Sequence, residues 1–195
     1  MRRKMLILSW LTFSAFATLA QAQQDSFPAF QSLASTALVR VSGEPQALSP
    51  TGLSVFIFLS PECPLCQNYS SVIRQLKEKF HAQVNFYGIF PGTAYTRDDI
   101  KSFEEKYQVA VPMYLDSKFR FTRYVQATVT PQVILLAKDG RLLYSGAIDD
   151  WMAAPGKKRV KANTHYLEDA LEQALFSGDV TLKKTKAIGC KINDY

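Results

Sequence analysis

The sequence predicts an α/β fold in which a central mixed β-sheet is flanked by helices. Short apolar runs alternate with amphipathic stretches along most of the chain, which is the order of strands and helices in such folds. Near the end, Asp139-Gly140 separates two apolar runs, and an amphipathic stretch follows them. The chain has 195 residues, of which 47% are hydrophobic. It can therefore bury one core, and its length favours a single domain.

The first 22 residues are predicted to be a signal peptide. Basic residues at positions 2–4 precede a mostly apolar stretch, and Ala20-Gln21-Ala22 is a cleavage signal. The apolar stretch is shorter than the about 20 residues that span a bilayer. We therefore expect export to a bacterial periplasm, with no stable membrane insertion after cleavage. An uncleaved leader that anchors the protein in the membrane is the alternative.

The charge of the chain does not favour nucleic acid as a partner. The net charge of +6 falls to +3 when the three basic residues of the leader are removed. The remaining excess is concentrated near the C-terminus, where acidic residues are interspersed. The basic residues there do not alternate with aromatic ones, as nucleic-acid binding would require.

A short β-hairpin is predicted at the start of the mature chain. Residues 23–35 are polar and lack a clear period, so we expect a flexible N-terminal segment. Residues 38–41 begin a short strand, and turn residues follow at 42–45 and 48–52. The hairpin would cover an edge or one end of the sheet.

Two closely spaced cysteines lie between a predicted strand and a predicted helix. Residues 53–59 are mostly apolar and rich in β-branched and aromatic residues, which is typical of a buried strand. Farther on, Val72, Leu76 and Phe80 recur at four-residue spacing, as in an amphipathic helix. Cys63-Pro64-Leu65-Cys66 falls between these two patterns. The N-terminus of a helix favours a thiolate, which is the reactive form of cysteine.

The middle of the chain predicts a second strand and an inserted helix. Residues 84–90 are the strand, and the helix starts at Thr96 or Arg97. Residues 109–115 contain a proline, so we expect an edge strand at most. Residues 119–125 form a short helix whose aromatic side chains belong to the core or line a groove. The apolar side of the inserted helix carries Ile100, Phe103 and Tyr107.

A hairpin and a helix close the predicted domain. Residues 133–137 and 142–146 are the strands, because Asp-Gly supplies the backbone angles of a tight turn. Asn163 or Thr164 is predicted to cap the last helix, and Gly178 lies just past its end. The face of that helix carries Leu167, Leu171 and Leu175. The predicted domain covers residues 36–178, and residues 179–195 form a tail that contains Cys190.

These features together resemble the thioredoxin-like superfamily. The resemblance rests on the strand before Cys63-Pro64-Leu65-Cys66, on Thr130-Pro131 just before a strand, and on the terminal hairpin and helix. The turn at Gly43, the inserted helix and the segment 144–150 narrow the resemblance to exported redoxins, which include AhpC/TSA-like and TlpA-like proteins. It covers roughly residues 36–176. It implies a thioredoxin-like fold, exchange between dithiols and disulfides, and no cofactor.

The resemblance also assigns roles near the cysteines. Thr130-Pro131 would contain a cis-proline that faces the cysteines, with the Thr130 backbone binding an extended substrate beside Pro64 and Leu65. A trans proline that opens an edge strand is the alternative. In thiol–disulfide exchange one thiolate attacks and a second cysteine resolves the mixed disulfide. Cys63 is expected to be the more exposed, attacking cysteine, and Cys66 the buried, resolving one.

The chain departs from the patterns of related families at two positions, and both departures affect the predicted redox activity of Cys63. Thioredoxin has a buried acid where this chain has Ile57. Glu62 is the nearest carboxylate, and its negative charge would raise the pKa of Cys63. The alternative is a solvent-exposed loop residue without a special role. Peroxiredoxins have a proline where this chain has Phe56, although Ser60 fits their pattern. A thiol peroxidase is therefore the alternative activity.

A metal-carrying module of the same fold is the non-enzymatic alternative. A zinc site needs about four ligands, and the chain has only His81 and His165 to add to the two cysteines. His81 is predicted to cap the end of the helix that follows Cys66, where a basic side chain suits the helix dipole. The prediction is therefore that the site holds no metal.

Cys190 is the third cysteine of the chain. An unpaired cysteine in an exported protein suggests intermolecular pairing or a reactive thiol. One hypothesis is that the tail folds back so that Cys190 pairs with Cys63, and the alternative is a partly buried thiol without a role.

The predicted function is an exported thiol–disulfide oxidoreductase. We expect it to reduce protein disulfides in the periplasm, for example in cytochrome maturation, with an upstream electron donor as a second partner.

Overall fold

A computed structural model of the chain describes residue 35, residues 37–42, residue 48 and residues 52–192. It has the predicted α/β architecture, with a central mixed sheet and helices on both sides. The strands are β1 (Val39–Arg40), β2 (Leu53–Phe58), β3 (Val84–Pro91), β4 (Met113–Asp116), β5 (Val129–Thr130), β6 (Gln132–Leu136), β7 (Leu142–Gly146), β8 (Met152–Ala154), β9 (Lys157–Lys158) and β10 (Cys190–Lys191). The helices are α1 (Pro64–Phe80), α2 (Arg97–Tyr107), α3 (Arg120–Tyr124) and α4 (Tyr166–Ser177).

The main sheet has six strands in the order β1-β4-β3-β2-β6-β7. The pairs β2–β3 and β3–β4 are parallel, and the other three pairs are antiparallel. Two small sheets stand apart from it, one of β5 and β10 and one of β8 and β9. The predicted hairpin around Asp139-Gly140 is confirmed as β6 and β7.

Strand β2 lies in the middle of the molecule because both of its faces are covered. Val55 and Ile57 belong to the larger core, which also contains the buried side of α1 and part of α4. Phe56 and Phe58 point to the opposite face and pack with Phe121 of α3. Successive strand residues point to opposite faces, so an unbroken apolar run such as that of β2 is expected where both faces are buried.

Helix α1 begins and ends close to the predicted limits, but its buried face is broader than predicted. Leu76 and Phe80 are buried as expected, whereas Val72 is only half-buried. Tyr69 and Ile73 complete the buried face. The inserted helix is confirmed as α2, where Thr96 and Asp99 form a reciprocal capping box at the N-terminus.

Two sequence predictions were wrong. Strand β4 is internal rather than an edge strand, because β1 pairs with its outer side and Pro112 precedes the strand. Helix α4 begins at Tyr166, and neither Asn163 nor Thr164 caps it. Instead, the backbone N–H groups of these two residues donate to Oδ1 of Asp150, at 2.6 and 3.1 Å.

Several predictions concern residues that the structure does not describe. The signal peptide, almost all of the flexible N-terminal segment and most of the two turns of the N-terminal hairpin lie there. The strand of that hairpin is confirmed as β1, at the edge of the sheet. Across the described ranges, no helix is long and apolar enough to span a bilayer.

Candidate redox site

Cys63 lies at the N-terminus of α1, directly beyond the end of the central strand. It is the N-cap residue of the helix, and Pro64 occupies the first helical position, where a proline is tolerated because its missing N–H would be unpaired anyway. The backbone N–H of Cys63 donates to Ser60 O at 3.2 Å, which closes a turn between β2 and the helix. Gln67 Nε2 donates to Pro61 O at 2.8 Å and holds the same turn from the helix side.

The loop that carries Thr130 and Pro131 faces Cys63. The peptide bond between these two residues is cis, as predicted. Cys63 Sγ lies 3.1 Å from the carbonyl oxygen of Thr130. The structure therefore brings together the two parts of the predicted site, which are 67 residues apart in the sequence.

Cys63 forms a disulfide with Cys190, so the tail folds back as hypothesised. The residues around Cys190 extend along the Thr130 loop as strand β10, with Cys190 opposite Thr130 and Lys191 opposite Val129. Ile192 N donates to Thr128 O at 3.0 Å and continues the ladder. Cys63 is buried beneath the tail in this disulfide form, with an exposed fraction of 1% for the residue. Cys66 is 0% exposed, so both cysteines are covered here, and the sequence does not reveal the cover over Cys63.

Cys66 lies one helical turn beyond Cys63 and is a buried free thiol. Burial raises its pKa from 9.0 to about 12, although hydrogen bonds with the Ser60 backbone and the Thr130 side chain act in the opposite direction. Cys66 is therefore a protonated thiol at neutral pH. Its predicted burial is confirmed, and its role as the resolving cysteine stays a prediction.

The other predicted site residues lie around Cys63 with different exposures. Glu62 and Pro64 are exposed, and Leu65 is half-buried against the larger core. Ile57 is fully buried in β2, so the position of thioredoxin's buried acid is filled by a core side chain.

Tyr95 is a site residue that the sequence analysis missed. Its hydroxyl lies 2.8 Å from Ser60 Oγ and donates to Glu62 Oε2 at 3.5 Å. It follows β3 in a loop without periodicity, so no pattern in the sequence connects it with the turn before Cys63.

A groove of about 470 Å³ opens beside the disulfide. The predicted groove-lining role of Phe119 is confirmed, and the tail contributes one wall. The groove is lined by Cys63, Tyr95, Phe119, Thr130, Cys190 and Ile192, among others. Its walls are mixed polar and apolar.

The two histidines lie away from the cysteines in the fold. His81 is the C-cap of α1, as predicted, with Nδ1 2.8 Å from Glu78 O. His165 is the N-cap of α4. Within the ranges that the structure covers, no group of three or more His, Cys, Asp or Glu side chains is arranged to hold a metal ion.

Comparison with known proteins identifies a family and a fold. The model of the AhpC/TSA family matches residues 24–145, which is more than half of the chain. No curated protein sequence matches the chain.

Solved structures with similar folds extend over most of the chain. An uncharacterized conserved protein from Geobacillus kaustophilus is 21% identical with a TM-score of 0.68, covering 82% of this chain and 88% of that chain. A hypothetical protein from Sinorhizobium meliloti is 23% identical with a TM-score of 0.64, covering 73% and 79%. A thioredoxin-like protein from Aeropyrum pernix is 16% identical with a TM-score of 0.53, covering 76% and 92%. These likenesses show the thioredoxin-like fold.

Proposed function

Because this chain belongs to the AhpC/TSA family of thioredoxin-like redoxins, we propose that it is an exported thiol–disulfide oxidoreductase that reduces protein disulfides in the periplasm. Cys63 is the attacking cysteine, and Cys66 is the resolving one. The reaction needs no cofactor, because the electrons pass between sulfur atoms.

One observation carries this proposal: Cys63 at the helix N-terminus faces the Thr130 carbonyl, 3.1 Å away, beside a cis-proline. The unpaired N–H groups and partial positive charge of the helix end stabilise a thiolate at Cys63. The Thr130 backbone offers hydrogen-bonding groups to an extended substrate. Pro64 and Leu65, at the start of the helix, would contact the same substrate.

The chemistry proceeds in two exchanges. The Cys63 thiolate attacks one sulfur of a substrate disulfide, so that a mixed disulfide forms and the other substrate sulfur leaves as a thiolate. Cys66, after losing its proton, attacks Cys63 Sγ, so that the Cys63–Cys66 disulfide forms and the substrate leaves with two reduced cysteines. An upstream donor then returns two electrons to the pair.

The burial of Cys66 separates these two steps in time. Its raised pKa, about 12, leaves very little thiolate at neutral pH. The mixed disulfide between Cys63 and the substrate therefore persists until Cys66 loses its proton. Glu62 is the nearest exposed carboxylate in the turn, and we assign it a modulating role on the thiolate of Cys63.

The proposed location rests on the sequence before the domain. Residues 1–22 carry the features of a cleaved leader, and residues 36–178 would form the exported domain with a tail at 179–195. A disulfide between Cys63 and the tail is compatible with an oxidising compartment.

Insulin reduction by dithiothreitol tests the proposal. The wild-type protein is expected to accelerate the reaction, and Cys63→Ser is expected to abolish the acceleration. Cys66→Ser/Cys190→Ser is the matched variant, which should accumulate a mixed disulfide with the substrate because neither Cys66 nor Cys190 can then attack Cys63. Equal acceleration by the wild type and Cys63→Ser would refute the proposal.

A thiol peroxidase is a second candidate, and the Cys63–Cys190 disulfide favours it. A Cys63 thiolate would attack a peroxide oxygen, giving an alcohol or water and a sulfenic acid at Cys63. The Cys190 thiol would then condense with the sulfenic acid, releasing water and forming the observed disulfide. Peroxide consumption by the wild type, with Cys63→Ser and Cys190→Ser beside it, measures this activity.

A further inference from the structure

The end of the described tail lies where an extended substrate would bind. Residues 190–192 run antiparallel to residues 128–130. Cys190 lies opposite Thr130 and is joined to Cys63. The arrangement has the covalent and hydrogen-bonded features of a mixed disulfide between Cys63 and an extended polypeptide.

The tail fits this position because the residue before its cysteine is glycine. A Cβ atom built on Gly189 would overlap the backbone carbonyl of Thr130. The atoms that would overlap belong to the main chain of Thr130, beside the disulfide. They cannot rotate away as a flexible side chain could. Any larger residue before the cysteine would require the tail or the Thr130 loop to shift.

Ile192 provides a second recognition element. Its side chain is partly buried against the core on the far face of the sheet. Lys191, between the cysteine and this anchor, is exposed. The bound segment therefore follows the order glycine, cysteine, an unrestricted residue and an aliphatic residue.

A separate anchor holds the base of the tail. Thr185 Oγ1 accepts a hydrogen bond from Ala147 N at 3.0 Å and lies 2.5 Å from the Tyr144 hydroxyl. Thr185 N donates to Ser145 O at 3.1 Å. These contacts do not involve the disulfide, so the tip of the tail can leave Cys63 while its base stays in place.

We propose that the tail is a tethered stand-in for the substrate, and that this site selects protein segments in which glycine directly precedes the reactive cysteine and an aliphatic residue lies two positions after it. The inference rests on the proposed function and adds a substrate class to it. A substrate with this pattern displaces the tip of the tail and occupies the same ladder on β5.

The test uses a protein in which Cys63 is the only thiol, Cys66→Ser/Cys190→Ser. Its probe is a peptide with the sequence of residues 185–192, whose cysteine carries a 2-nitro-5-thiobenzoate group in disulfide linkage. The Cys63 thiolate attacks the peptide sulfur, one disulfide breaks and another forms, and the coloured thiobenzoate thiolate leaves. Its absorbance gives the rate.

Two further peptides serve as controls for the pattern. Valine in place of the glycine is expected to slow the reaction by about tenfold or more, because the added side chain meets the Thr130 carbonyl. Valine in place of the lysine after the cysteine should leave the rate within about twofold of the original, because that side chain is exposed. Equal rates for the glycine and valine peptides would overturn the inference.

A third substitution tests whether the tail competes for the same place. Adding Gly189→Val to the single-thiol protein should free the ladder and increase the rate with the original peptide, while circular dichroism checks that the domain is folded. An unchanged rate would contradict the shared position of tail and substrate.

Reaction with the small disulfide of two nitrothiobenzoate groups distinguishes a failure of the proposed function from a failure of the inference about the tail. A single-thiol protein that does not react with it would contradict the proposed function. A protein that reacts with it but does not distinguish the peptides would contradict only the inference about the tail.

Discussion

The Tyr69 hydroxyl donates a hydrogen bond of 2.5 Å to Oδ1 of Asp149. This bond connects the helix that begins after Cys63 and carries Cys66 to the loop after β7. The Trp151 backbone N–H donates to the same oxygen at 2.9 Å, and the Trp151 ring meets the Tyr69 ring edge to face at 5.5 Å. Asp149 is buried, with an exposed fraction of 6%, so these two donors supply hydrogen bonds that water would otherwise give to its carboxylate.

Tyr69→Phe is expected to lower the free energy of unfolding by about 1–3 kcal/mol, because it leaves a buried carboxylate with one of its two donors. Urea unfolding measures the change. Tyr107→Phe, which removes a hydroxyl from a half-buried tyrosine of α2, is the control and should cost less than about 0.5 kcal/mol. Equal losses in the two variants would show that the hydrogen bond to Asp149 contributes no more to the free energy of unfolding than the hydroxyl of Tyr107.

The thiol of Cys66 predicts a pH dependence of stability. Its pKa in the folded protein is about 12, above the ordinary 9.0, so the fold favours the protonated form. This contribution is complete below pH 9 and is lost as the pH rises towards 12. Between pH 8 and 10 the oxidised wild type should lose about 1.4 kcal/mol more than Cys66→Ala. Chemical unfolding at both pH values measures the difference, and parallel losses would contradict the prediction.

The disulfide of the tail should stabilise the oxidised protein. It joins residues 127 positions apart and therefore restricts the unfolded chain strongly. Cys190→Ser is expected to lower the free energy of unfolding of the oxidised protein by about 2–4 kcal/mol.

The same comparison in dithiothreitol is the control, where the two proteins should agree. A difference that persists after reduction would point to packing of the cysteine rather than to the bond. Mass spectrometry of the oxidised proteins should find the Cys63–Cys190 link in the wild type and a Cys63–Cys66 link in Cys190→Ser.

Asp116 stabilises the N-terminus of helix α3, where Phe119 is the N-cap residue and lines the groove. Its carboxylate accepts hydrogen bonds from Thr122 N and Oγ1, each at 2.7 Å, and from Arg120 N at 2.9 Å. Asp116→Ala should cost about 2 kcal/mol or more in unfolding free energy, because buried donors lose their acceptor. Asp98→Ala, at a side chain that is 94% exposed, should cost less than about 0.5 kcal/mol. Thermal denaturation of both variants checks the contrast.

The sequence predicted those parts of the fold that local periodicity specifies. The apolar run of β2, the helix after Cys63 and the Asp-Gly hairpin each carry their own pattern, and each is confirmed. Strand β4 was misjudged because Pro112 suggested an edge, whereas its outer neighbour β1 comes from more than seventy residues earlier in the chain. A pairing over such a distance leaves no signal in either segment alone.

The site was predicted as far as residue types and spacing could indicate it. The cis peptide bond, the burial of Cys66 and the fold-back of Cys190 onto Cys63 agree with expectation. The burial of Cys63 was missed because it depends on a segment that begins beyond the last helix. The role of Asp150 was missed for a similar reason, since its carboxylate binds the N–H groups of the two residues that were predicted to cap α4.

The tail also protects the margin of the main sheet. Strand β7 would otherwise present free backbone groups, but Ser145 N donates to Lys183 O and Ser145 O accepts from Thr185 N. The opposite margin is the two-residue strand β1, too short to template another chain. The contacts of Ser145 are made by residues 183 and 185 and do not involve the disulfide. We therefore expect this edge of the sheet to stay covered against pairing with another chain when Cys190 is released from Cys63.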